Sequence, residues 1–149
     1  GSFDLVTKID IEYYAHSIAM NDKTVVIGSP LENDVTGAIY IYEKDDNGVW
    51  NETIKFVPNG IQQEAYFGRS VAIDGRIIVV GASNDGENEE GSVYIFYRHD
   101  EGNWVQEENL TPPDASKAEA FGYSVFVKNY KIAVGDAWYD DDDKGAVFE

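Results

Sequence analysis

The chain has 149 residues, 43% of them hydrophobic and 13% aromatic, and a formal charge of −17. That length suits one domain with a fair core, and the composition excludes a disordered chain. The charge excludes nucleic acid and anionic membrane surfaces as expected partners, leaving cations or basic protein surfaces. With no cysteine there is neither a disulfide framework nor a thiolate metal site. The apolar runs, about five residues each, fall far short of the roughly 20 that a spanning helix needs, so no membrane insertion is expected.

In chain order, Gly1-Ser2 reads as a cloning scar. FDLVTKI (3–9) lines up with WNETIKF (50–56), so residues 3–13 are expected to hold a lone outer strand. YAHSIAMNDKTVVIGS (14–29) opens repeat one (14–66), and FGRSVAIDGRIIVVGA (67–82) opens repeat two (67–120). FGYSVFVKNYKIAVGD (121–136) opens a partial repeat three (121–149). Four landmarks hold the register. Tyr14, Phe67 and Phe121 step by 53 and 54, as do Gly28, Gly81 and Gly135. Gly37, Gly91 and Gly145 step by 54 twice, and Trp50 and Trp104 are 54 apart. Periods of this size point to propeller blades or solenoids.

Each repeat reads as strands alone. SVAI (70–73) and RIIVV (76–80) flank Asp74-Gly75, a two-residue hairpin signal. The second of these runs is apolar on both faces, as a strand between two neighbours must be. GSVYIFY (91–97) alternates, and WVQEENL (104–110) keeps few apolar residues, so it reads as an outer strand with one wet face. With these strands named a to d, GAVFE (145–149) is a c strand and the order is d-abcd-abcd-abc. The expected fold is all-β: β-propeller blades of four antiparallel strands, three blades' worth in the chain. Propellers run to 4–8 blades. Two expectations follow: two chains exchanging outer d strands into a six-bladed homodimer, or a segment of a longer propeller.

Phe67-Gly68 and Phe121-Gly122, followed by VVGAS (79–83) and GSVYIF (91–96), resemble the FG-GAP repeat of integrin α-subunit propellers. The likeness covers essentially the whole chain, with departures at Tyr14-Ala15, at GSP (28–30) and at GDA (135–137). The resemblance implies an extracellular or cell-surface propeller acting in adhesion or ligand recognition through one face. Several integrin blades also hold calcium in a carboxylate-rich loop between strands a and b. Here those turns are Asn21-Asp22-Lys23, Asp74-Gly75 and Lys128-Asn129-Tyr130, too short and too poor in carboxylates for a cation needing 6–8 oxygens.

Carboxylates gather instead in the b–c loops at 32–37, 83–91 and 136–145, which hold two, four and five, or 11 of the chain's 28. Like charges so gathered must be well solvated or neutralised. Two readings stand: a solvated acidic face, or Ca²⁺ binding by Asp85, Glu87 and Glu89, or by Asp140 with Asp142. Trp138 and Tyr139 in the third loop offer an aromatic platform for a sugar or protein ligand. Trp50, Trp104, Tyr40, Tyr42, Tyr94 and Phe96 are expected in packing between blades. His16 and His99 are the only imidazoles, and no nucleophile elbow, zinc spacing or phosphate loop is present. The slot of His16, Arg69 and Tyr123 varies between repeats. The expected function is therefore a non-enzymatic recognition module with a protein or glycan partner. Self-assembly and lectin-like sugar binding are the alternatives.

Overall fold

The computed structural model describes residues 8–139 and 144–149, and every regular element in them is a strand. The first sheet comprises β1 (Ser17–Met20), β2 (Thr24–Ser29), β3 (Ala38–Lys44) and β4 (Trp50–Phe56). The second comprises β5 (Phe67–Asp74), β6 (Ile77–Ala82), β7 (Ser92–Arg98) and β8 (Trp104–Leu110). The third comprises β9 (Phe121–Lys128), β10 (Lys131–Asp136) and β11 (Ala146–Phe148). Within each sheet the strands lie antiparallel and side by side in chain order.

The double-sided apolar run of β6 has a direct cause: the second sheet is packed on both faces. Val71, Ile73, Ile78, Val80, Tyr94, Phe96 and Trp104 pack with Val26, Ile39 and Ile41 of the first sheet. The opposite face carries Ala72, Ile77, Val79 and Val93, which pack with Val125, Val127, Ile132, Val134 and Phe148 of the third. Strand alternation puts neighbours on opposite faces, so one sequence run serves two interfaces. Trp104 and Phe96 are buried there, as their packing role requires. The far face of the first sheet carries Val25, Ile27, Tyr40 and Tyr42, which pack with Ile9, Ile11, Tyr13 and Trp50. Tyr13 stacks on Tyr40 at 3.3 Å and its hydroxyl lies 2.7 Å from that of Tyr42.

The sheets also interlock through their backbones. The Ser17 hydroxyl donates to the Gly68 carbonyl at 2.8 Å, and one repeat later the Ser70 hydroxyl donates to the Gly122 carbonyl at 2.8 Å. The approach demands glycine in the adjoining strand. A Cβ on Gly28 would stand 2.1 Å from the Gly68 oxygen, and one on Gly81 would stand 1.9 Å from the Gly122 oxygen. The recurring glycine is thus an interface residue.

Two expectations are corrected. The hairpin turn of repeat two is Gly75-Arg76, since Asp74 pairs with Ile77 at the end of the ladder. The turn of repeat three is Asn129-Tyr130, both with positive φ, because Lys128 pairs with Lys131. The expected outer strand at 3–9 lies outside the described residues except for Lys8 and Ile9, which carry no strand.

Candidate functional site

β5 and β9 both begin with Phe-Gly, and the third residue of each, Arg69 and Tyr123, emerges at the same end of its sheet. A tight turn aims them: the Arg69 amide donates to the Tyr66 carbonyl at 2.9 Å, and the Tyr123 amide to the Ala120 carbonyl at 3.0 Å. The Arg69 guanidinium lies 4.5 Å from the centroid of the Tyr123 ring and donates to its hydroxyl at 2.7 Å. Trp138 also meets Tyr123 edge to face, with centroids 5.6 Å apart. These side chains, with Tyr66, Asn84 and Glu119, line an open cleft of about 330 Å³ between the second and third sheets.

The cleft walls are pinned by hydrogen bonds between loops. Asn84 donates to the Glu64 carbonyl at 3.0 Å and accepts on its own carbonyl from Gln62 at 2.9 Å. Asp136 is buried, and its Oδ1 accepts the amides of Ala120 at 3.1 Å and Trp138 at 3.2 Å. Its Oδ2 has no partner among the described residues. Burial pushes the Asp136 carboxyl above the usual carboxylate range, against the amides of Trp138, Ala120 and Glu119, which favour its charge.

Of the expected cation ligands, Asp85, Glu87 and Glu89 are not brought together as a metal-binding group. Asp85 is buried and accepts the Tyr94 hydroxyl at 2.7 Å, so it serves the fold. Burial, reinforced by that carboxylate, holds the Tyr94 phenol well above its ordinary range. Glu87 and Glu89 point into solvent. Among the described residues no group of three or more His, Cys, Asp or Glu stands where it could hold a metal ion. Asp140 and Asp142 lie outside the described residues. Of the expected aromatic platform, Trp138 faces the cleft, but Tyr139 does not. It is half-buried against Phe148 at 5.2 Å and bridges to Ala118, so its place is the core.

Glu32 parallels Asp85 in repeat one. It accepts the Tyr40 hydroxyl at 2.6 Å and pairs with Lys55. Burial works to raise its carboxyl, but the bonds from Lys55 and Tyr40 outweigh that and hold it below the usual range.

The FG-GAP repeat profile matches residues 50–96 and 104–148. The chain belongs to the FG-GAP repeat family. No curated protein matches the sequence. Among solved structures, that of YjhT is 21% identical with a TM-score of 0.45, and the match covers 87% of this chain but 35% of that one. The FG-GAP signature residues Phe67, Gly68, Phe121 and Gly122 are thus the ones that seat one sheet on the next and set Arg69 and Tyr123 beside the cleft. Residues 69 and 123 were legible as a slot that varies between repeats. Its meaning was not, because only the fold shows that the slot opens on the loop face. Asp136 left a fainter signal, as the acid in GDA where the other repeats have GSP and GAS.

Proposed function

We propose that this FG-GAP chain is a non-enzymatic recognition module of β-propeller type. Its sheets act as consecutive blades, and its loop face meets a protein or glycan ligand outside the cell. The observation that carries the reading is the cleft of Arg69, Tyr123 and Trp138. Trp138 is left 45% exposed and Tyr123 37%. Flat aromatic surface with a cation and polar groups around it suits a ligand that is apolar on its faces and polar at its edges. A sugar ring is one such ligand, and a basic or aromatic side chain on a protein is another. Exposed carboxylates of Asp34, Glu64, Glu87, Glu89 and Glu119 stand on the loops around it and favour a cationic partner.

Family membership supports the propeller and the extracellular setting. Among the described residues no helix is long and apolar enough to cross a membrane. Tryptophan fluorescence, titrated with the hits of a glycan array and of a basic-peptide array, tests the reading. Trp138→Ala and Arg69→Ala are each expected to weaken binding by about tenfold or more. No hit on either array, or hits indifferent to both changes, overturns it.

A further inference from the structure

Of the chain's ten asparagines, only Asn47 and Asn59 are followed by glycine. In such a pair the backbone can attack the side chain, since glycine puts no Cβ in the way of its own nitrogen. Both pairs stand in exposed turns, and both glycines hold positive φ, 82° at Gly48 and 79° at Gly60. Neither is crowded. A Cβ on Gly60 would meet nothing within 4 Å, and one on Gly48 only the Lys44 Cε at 3.9 Å.

Hydrogen bonding separates two pairs that sequence and space treat alike. In the turn between β3 and β4 the Gly48 amide donates to the Asp45 carbonyl at 3.0 Å. The amides of Asn47 and Val49 donate to the Asp45 Oδ1 at 2.9 and 2.8 Å. The Gly48 nitrogen is thus occupied and held near a carboxylate, which opposes loss of its proton. After β4 the Gly60 amide makes no hydrogen bond among the described residues, and neither does the Asn59 side chain.

The structure assigns Asn59 as a self-modifying site, at which the chain deamidates through a succinimide ring. The Gly60 nitrogen gives its proton to a solvent base and attacks the side-chain carbonyl carbon of Asn59. The new C–N bond closes a five-membered ring. The bond to the side-chain nitrogen breaks, and ammonia leaves with a proton taken from solvent. Water then opens the ring at either carbonyl, leaving aspartate or isoaspartate, and nothing is oxidised or reduced. Nucleophile and target sit in adjacent residues, so the step has the advantage of proximity.

The product alters two surroundings. Asn59 lines an open groove of about 520 Å³ with Lys55, Phe56 and Gln106, between the outer strands of the first and second sheets, so a new carboxylate enters that groove. Isoaspartate also lengthens the backbone by one carbon, three residues before Gln62. The side chain of Gln62 donates to the Asn84 carbonyl at the cleft wall.

Peptide mass spectrometry on the whole folded chain, aged in warm neutral buffer, tests the assignment. Cleavage after Lys44, Lys55 and Arg69 puts the two sites on separate peptides. Asn59 is expected to change from amide to acid about tenfold faster than Asn47. Aspartate and isoaspartate are both expected there, at a rate that climbs with pH because the attacking nitrogen is the deprotonated one. Aged in urea, the two sites are expected to react at similar rates, since unfolding removes the bonds to Asp45. Asn59→Gln is expected to abolish the change at that position and, being exposed, to leave the circular dichroism of the parent. An Asn47 that keeps pace with Asn59 in the folded chain overturns the assignment. So does an Asn59 still intact there after the urea-unfolded chain has converted both sites. Aspartate without isoaspartate means direct hydrolysis and overturns it too.

Discussion

The side chain that glycine lacks does more here than the ones the chain has. At Gly81 the neighbouring sheet's Gly122 carbonyl occupies the space of a Cβ, and neither backbone can withdraw without parting the sheets. Gly81→Ala is expected to cost about 3 kcal/mol, the upper part of the overpacking range. At Gly135 the three atoms nearest such a Cβ all belong to Ser124, and the one too close, its hydroxyl, can rotate away. Gly135→Ala is expected to stay within about 1 kcal/mol of the parent. Urea unfolding of the two variants side by side checks both. Asp136 makes a second case. Its carboxyl is raised by burial, so its protonated form is favoured in the fold. That contribution is whole below the unfolded value of about 3.9 and is lost as pH rises through the folded value. Asp136→Asn keeps an oxygen acceptor for the Ala120 and Trp138 amides and has no such loss. The variant is therefore expected to gain on the parent between pH 4 and pH 7, read from urea midpoints at the two pH values. A parent that gains on the variant over that range would sink the assignment.

Elements were the most legible level of this chain. Alternation in SVYIFY, the two-faced run at IIVV and the thin apolar content of WVQEENL each matched a strand, because each pattern is a direct record of what lies above and below it. Turns are less legible: that of repeat two lies one residue beyond its Asp-Gly pair, and that of repeat three is the last two of the three residues expected. In repeat two Asp74 looked like a turn residue beside glycine, yet its backbone closes the ladder and its side chain reaches across to Asn129. A contact between repeats cannot be read from residues inside one. For the same reason the cleft was half legible: Trp138 stood out, while its mate Arg69 looked merely variable. The third turn yields a prediction. Asn129 and Tyr130 hold φ of 49° and 63°, a turn whose second position suits glycine, and Tyr130 is 79% exposed, so little packing depends on it. Tyr130→Gly is expected to stabilise by about 1 kcal/mol, a rise in melting temperature of roughly 3 °C by calorimetry.

At the scale of the molecule, charge opposes compactness. The chain carries 28 acidic residues against 11 basic ones, and folding brings them within a few screening lengths of one another. The cost of holding like charges together falls as salt shortens the Debye length from about 30 Å at 0.01 M to about 8 Å at 0.15 M. The melting temperature is accordingly expected to rise by several degrees between low and physiological sodium chloride. Calcium chloride at matched ionic strength separates screening from binding. A site filled at a hundred times its dissociation constant adds about 2.7 kcal/mol of stability that sodium cannot supply. With Asp85 tied to Tyr94 and no group of three or more acids placed to hold a metal among the described residues, calcium is expected to follow the sodium curve. A calcium-specific rise would return attention to the third b–c loop, and loss of that rise in an Asp140→Asn, Asp142→Asn double variant would make those two carboxylates its ligands.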